Sequence, residues 1–244
     1  MKLIYQFFIP CIFLFMACEE IPFEPPEERV RTYLHFLNTY DGFPGVDVNV
    51  TSFEKNQTLV KNLAFGEGWP VGGYASLLTV PDEDTTNNIQ GGITVEVLNA
   101  ATQAVAVPAT KLKLNAKIGT TLALVDSFGK PILVKTIDNI PNPSDSVGQV
   151  RFMNVNNSNL SVSLTTTDEN FQIPNLNFLN YSNFRALKSG VYSFYFVDDF
   201  SGIILDSISR LSIERHQIYS FFLSNRGGKA VGGYEKLEQN VGRK

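Results

Sequence analysis

The sequence predicts an all-β protein built as two tandem antiparallel β-sandwiches, and three observations predict it. Apolar residues alternate with polar ones over short runs, as Val46, Val48 and Val50 do with Asp47 and Asn49. That is the period of a strand with one face on a core and the other in water. Turn-forming groups punctuate the runs: Asp41-Gly42, Gly72-Gly73, Ser127-Phe128-Gly129, Ser201-Gly202 and Asn225-Arg226-Gly227-Gly228. The third observation is an internal repeat, in which the first half of the chain is answered in order by the second. No window carries a sustained apolar stripe at helical spacing.

From the N-terminus, MKLIYQFFIPCIFLFMACEE has a cation at Lys2, an apolar run from Phe7 to Ala17, and Ala17 just before Cys18. These are the three parts of a signal peptide, residues 1–17. Even counted from Leu3 to Ala17 the stretch is about fifteen residues where a bilayer core needs about twenty, and Pro10 interrupts it, so cleavage is expected rather than membrane spanning. Leu14-Phe15-Met16-Ala17-Cys18 resembles the lipobox of bacterial lipoproteins, which implies that Cys18 carries lipid. Two or more acyl chains anchor a protein stably to a membrane. Only Cys18 would remain after cleavage, so no intramolecular disulfide can hold the fold. Residues 18–28 are acidic and proline-rich and are expected to form a semi-stiff tether. Their acids resemble the surface-export signal of Bacteroidota lipoproteins, and read equally well as a solvated linker.

The repeat places the first sandwich at 29–140, a Pro-containing link at 141–148, and the second sandwich with a polar C-terminal tail at 149–244. Val46 to Val50 matches Leu160 to Leu164, Asn62-Leu63-Ala64-Phe65 matches Asn175-Leu176-Asn177-Phe178, and Tyr74 to Leu77 matches Phe184 to Leu187. Gly92 to Lys130 then matches Gly190 to Lys229, and the approach NTYDGFPGVDV reads as shortened to VNNSNLSV. The polar run around PDEDTTNNIQG is an extra surface loop of the first copy. On VRFMN, VDVNV, NLAF with Tyr74, the Gly92 to Val95 strand and the Leu-rich closing strands, the chain resembles Bacteroidota members of domain-of-unknown-function family 4397. The resemblance implies a secreted, often lipid-anchored, tandem immunoglobulin-like protein with no assigned activity.

Net charge is −4, so no basic field would draw nucleic acid or anionic headgroups. His35 and His216 lie in different copies, and no G-x-S-x-G elbow surrounds a serine, so no hydrolytic triad is expected. Neither histidine has metal-ligand spacing, and no metal or cofactor is expected. Asp198-Asp199 sits in a hairpin turn, and Asp82, Glu83 and Asp84 lack the spacing of an EF-hand calcium loop. Asp84-Thr85-Thr86, Asp145-Ser146-Val147 and Asp206-Ser207-Ile208 resemble the Bacteroidota O-glycosylation sequon.

Aromatic residues are the remaining candidates for ligand contact. Trp69, the sole tryptophan, lies in the loop-like GEGWPVGGY, where it would either stack on a ligand or cover the end of the first core. Tyr40 and Phe43 in NTYDGFPG are expected on the same rim, with Tyr74 nearby and Tyr181 as the second copy's counterpart of Trp69. The expected function is a non-enzymatic, outer-membrane, lipid-anchored module that binds a glycan or another envelope protein. The alternative is a carbohydrate-capture lipoprotein of the starch-utilisation type, with Trp69, Tyr40 and Tyr74 stacking on sugar.

Overall fold

The computed structural model describes residues 30–52, 56–79, 90–116, 118–139, 146–167 and 171–237. Cys18, the signal peptide, the tether, the acids at 82–84 and most of the 141–148 link lie outside the described residues. Those described form only strands and their connections. The first half contributes β1 (Val30–Asn38), β2 (Val46–Thr51), β3 (Asn56–Leu63), β4 (Gly68–Trp69), β5 (Ala75–Thr79), β6 (Gln90–Asn99), β7 (Val105–Asn115), β8 (Gly119–Ser127) and β9 (Lys130–Asp138). The second half contributes β10 (Val147–Asn154), β11 (Val162–Thr166), β12 (Gln172–Leu176), β13 (Asn180–Tyr181), β14 (Arg185–Lys188), β15 (Gly190–Asp198), β16 (Ile204–Ile213), β17 (Ile218–Arg226) and β18 (Lys229–Leu237).

Each half is a sandwich of two sheets. In the first half, β3-β2-β6-β7 faces a sheet in which β4 and β5 share the edge of β1, followed by β8 and β9. In the second half, β12-β11-β15-β16 faces β13 and β14 on β10, followed by β17 and β18. The first core joins Leu34 and Phe36 to Val46, Val48, Val95, Val97, Leu122 and Leu124. Its counterpart joins Val150 and Phe152 to Val162, Leu164, Phe194, Phe196, Phe221 and Leu223. Fully burying such a side chain contributes about 1.5–3 kcal/mol, and the described residues, which include no cysteine, are held by this packing.

Two features depart from the sequence expectation. The sandwiches are not wholly antiparallel, because β1 pairs parallel with β8 and β10 pairs parallel with β17. The second faces of these four strands are also not in water. Leu37, Ala123 and Val125 pack against Met153, Val155 and Phe222, so the two inner sheets meet face to face in a seam. The strands form four layers, and the middle two are buried on both sides. Their sequences are consistent with this: Leu122-Ala123-Leu124-Val125 and Phe221-Phe222-Leu223 are continuous apolar runs, as strands covered on both faces require.

Register confirms the repeat and corrects one stretch of it. Asn99 and Asp198 close equivalent turns, accepting from the N–H groups of Gln103 and Gly202 at 2.8 Å. Val46 lies opposite Asn99 and Val162 lies opposite Asp198, so Val46 corresponds to Val162 and not to Leu160. The approach is therefore not shortened: 39–45 and 155–161 are loops of equal length. A slip of two residues keeps every side chain on its face, so alternation alone could not detect it.

Candidate functional site

The polar part of the seam is built around Arg151 on β10, which is almost wholly buried. Its Nη1 donates to the Asp138 carboxylate on β9 and, at 3.1 Å, to Thr136 Oγ1. Its Nη2 donates to Thr121 Oγ1 at 2.8 Å and its Nε to Ser220 Oγ at 2.7 Å. The guanidinium lies 4.8 Å from the centre of the Phe184 ring. Asp138 also accepts from Tyr74 Oη at 2.7 Å and from Thr121 Oγ1 at 2.6 Å. Burial, and then the neighbouring Asp138 charge, push the Tyr74 hydroxyl well above the ordinary tyrosine range. A buried charge is tolerated only when paired and hydrogen-bonded in this way.

The same arrangement runs in the other direction across the seam. His35 holds the position in β1 that Arg151 holds in β10, since their neighbours Phe36 and Phe152 pair with Leu122 and Phe221. Its Nε2 meets the Glu235 carboxylate on β18, and Nδ1 lies 3.0 Å from the Gly73 carbonyl oxygen. Tyr74 stands edge-on to His35 at 6.0 Å, as Phe184 stands by Arg151. Each half therefore extends a basic side chain from its first strand to an acid on the last strand of the other. This is the self-complementary pattern of a two-fold interface, here within one chain.

Strand direction assigns the two ends of the body. The chain enters β1 at Val30, and β18 finishes at that same end, because Leu237 lies opposite Ile218 at the start of β17. The opposite end, about 26 Å away along β1, carries the loops 39–45, 64–67, 100–104, 155–161, 177–179 and 199–203 and the two tight turns 128–129 and 227–228. Contacts across the seam lock this far end. Asn157 Nδ2 donates to Asp126 at 2.8 Å, Gly227 N–H to Asp41 at 2.7 Å, and Ser224 Oγ to the Thr39 carbonyl at 2.9 Å. Phe128 meets Phe178 at 5.8 Å, and the Arg226 guanidinium lies over Phe65 at 5.0 Å.

Two features of the far end were not anticipated from sequence. One is an open groove of about 350 Å³ where the halves meet, lined by Tyr40, Asp41, Asp126, Asn225, Gly129 and Gly227 among others. The other is Phe200, 98% exposed at the tip of the β15–β16 hairpin. That hairpin is tied down at its base. Asp198 accepts from Phe200 N–H at 3.1 Å and from Ser201 Oγ, and the Ser201 bond holds its carboxyl below the usual range. Asp199 accepts from Ser161 Oγ at 2.7 Å and from Ser163 Oγ. The equivalent β6–β7 turn has the same backbone, with left-handed φ of 58° at Gln103 and 70° at Gly202. It carries Ala101 and Thr102 at its tip.

The aromatic candidates do not converge on one surface. Tyr40 is buried and stacks edge-on with Phe43 at 5.0 Å, and both rings pack against the first core. Trp69 is half-buried against that core. Tyr74 lies in the seam, packed with Phe184, Ile218 and Leu237. Tyr181 is 38% exposed on the second half. It is not the counterpart of Trp69: Trp69 lies opposite Phe36, whereas Tyr181 lies opposite Met153, one residue beyond Phe152. Ser182 takes the Trp69 position and donates its N–H to the Phe152 carbonyl at 2.9 Å. Among the described residues no three His, Cys, Asp or Glu side chains gather into a group that could hold a metal ion. Nor, among those residues, is any helix long and apolar enough to cross a membrane.

These features define an all-β protein of two packed sandwiches, braced across the seam at the end remote from Val30. No family model matches the chain. No curated protein matches it either. A solved structure from Bacteroides uniformis, of a protein provisionally named a cell adhesion protein, aligns over 88% of this chain and 99% of that one, at 9% identity and a TM-score of 0.22. A likeness of that size carries no weight for fold or function.

Proposed function

We propose that the protein is a non-enzymatic, lipid-anchored binding module of a bacterial outer membrane, held through Cys18 and meeting its ligand at the end remote from the anchor. One observation carries this reading. The chain enters at one end of a body, and the loops at the opposite end are braced to one another across the seam. A tether of the 18–28 type would leave that braced end facing away from the bilayer. The lipobox-like Leu14 to Cys18 segment supports the same reading.

Metabolic labelling with an alkynyl fatty acid tests the anchor. The wild-type protein is expected in the membrane fraction and labelled, and Cys18→Ala is expected to be neither. Wild-type protein without label, with residues 1–17 still attached, would overturn the proposal. Orientation is read from single cysteines placed in the full-length protein, Phe200→Cys at the far end and Ser146→Cys at the near end. With a bulky maleimide on intact cells, the far-end cysteine should react faster.

A further inference from the structure

We propose that the groove at the far end of the seam binds a segment of neutral polysaccharide. This deepens the binding-module reading and rests on it for the direction from which the ligand approaches. The hairpin turns at 126–130 and 225–229 are equivalent and share a backbone, with φ of 52° and 84° at Phe128 and Gly129 and of 56° and 78° at Gly227 and Gly228. On one side of the two-fold, the Phe128 ring packs on Phe178 of the other half. On the other side, the equivalent Phe65 faces a turn with Gly227 in place of the phenylalanine, and the Arg226 guanidinium covers it instead. A Cβ added at Gly227 would meet nothing within 4 Å. At position 227 the second turn thus carries a glycine where the first carries an aromatic ring, and Gly227 and Gly228 line the groove.

The lining then selects the ligand. Asp126 is held by Gly129 N–H at 2.6 Å and by Asn157, Asp41 by Gly227 N–H, and Asn225 by Asn157 Oδ1 at 3.2 Å. These planar groups are fixed in place before any ligand arrives, and carboxylate oxygens accept more than one hydrogen bond each, so acceptor capacity remains for hydroxyl groups. Two carboxylates disfavour an anion and desolvate poorly against an apolar ligand. Fixed carboxylate and amide groups match the adjacent hydroxyls of a pyranose.

Native affinity electrophoresis of the detergent-solubilised full-length protein through starch, dextran, mannan and xylan tests this. At least one polymer should retard the wild type. Gly227→Phe, which copies the sister turn, should weaken that retardation about tenfold, a loss of about 1.4 kcal/mol. Asn225→Ala should weaken it by a smaller factor with an unchanged melting curve, which keeps the test informative if Gly227→Phe folds poorly. Absence of retardation by all four polymers overturns the inference. So does equal retardation of the wild type and a well-folded Gly227→Phe, which would place sugar binding elsewhere and leave the anchored-module reading intact. Loss of the Cys18 label would instead remove that reading whatever the gels show.

Discussion

His35 and Arg151 occupy the same place in the two sandwiches, yet one is an imidazole against a partly exposed glutamate and the other a fully enclosed guanidinium. Trp69 and Ser182 likewise share a position, as do Phe128 and Gly227, while the equivalent turn tips carry Ala101 and Phe200. Positions that set strand register agree between the halves: Asn38 and Asn154 anchor the start of equivalent loops, and Asn62 and Asn175 both adopt left-handed φ. The contrast separates what a sandwich needs from what each copy does with it. Backbone turns and inward residues are held in common, whereas seam charges and far-end tips diverge.

Breaking the seam should show the contrast most strongly. Arg151→Ala leaves the Asp138 carboxylate buried and unpaired and is expected to destabilise by about 3–5 kcal/mol in denaturant titration, whereas Arg151→Met with Asp138→Leu should recover most of that loss. A single mutant as stable as the wild type would show that the halves are not coupled through this pair. Trp69→Ala should cost somewhat less than the roughly 3–5 kcal/mol of a full aromatic deletion, because the ring is only half-buried, and it should leave ligand retention unchanged. His35→Ala removes a hydrogen-bonded ring whose acid partner keeps some access to water, and about 1–3 kcal/mol is expected.

Alkali offers a milder probe of the same region. Both the folded and the unfolded chain keep the Tyr74 proton below about pH 10; above it the unfolded chain ionises freely while the buried hydroxyl does not, so stability falls as pH rises. Tyr74→Phe should make the decline above pH 10 shallower in pH-dependent melting, although Tyr40 and Tyr219, both raised by burial, will preserve part of it. Smallest of all, Phe200→Ser and Tyr181→Ala should each change stability by less than about 0.5 kcal/mol. A larger loss for Phe200→Ser would mean that the exposed tip supports its hairpin.

Much of the fold was legible because period-2 alternation and turn chemistry are local signals. Val46 to Val50, the Asp198 to Gly202 turn and the match of Asn62 with Asn175 all stand in the structure as strands, a hairpin and a shared loop. The ligand-contact candidates fared differently, because an aromatic residue in a glycine-rich stretch looks the same from sequence whether it faces water or a core. Arg151 could have been singled out, as a charge inside the apolar VRFM run.

Sequence by itself determined the all-β class and the duplication, since each rests on local patterns of alternation and turn residues, the second on the same patterns met twice in order. Tertiary structure alone decided that two sandwiches would close on one another, that Arg151 would meet Asp138 and His35 would meet Glu235, and that Gly227 would line a groove with Asp41 and Asp126. The reason is that burial of a strand's second face depends on what arrives from the other half. Alternation records which residues share a face, and packing settles what that face touches.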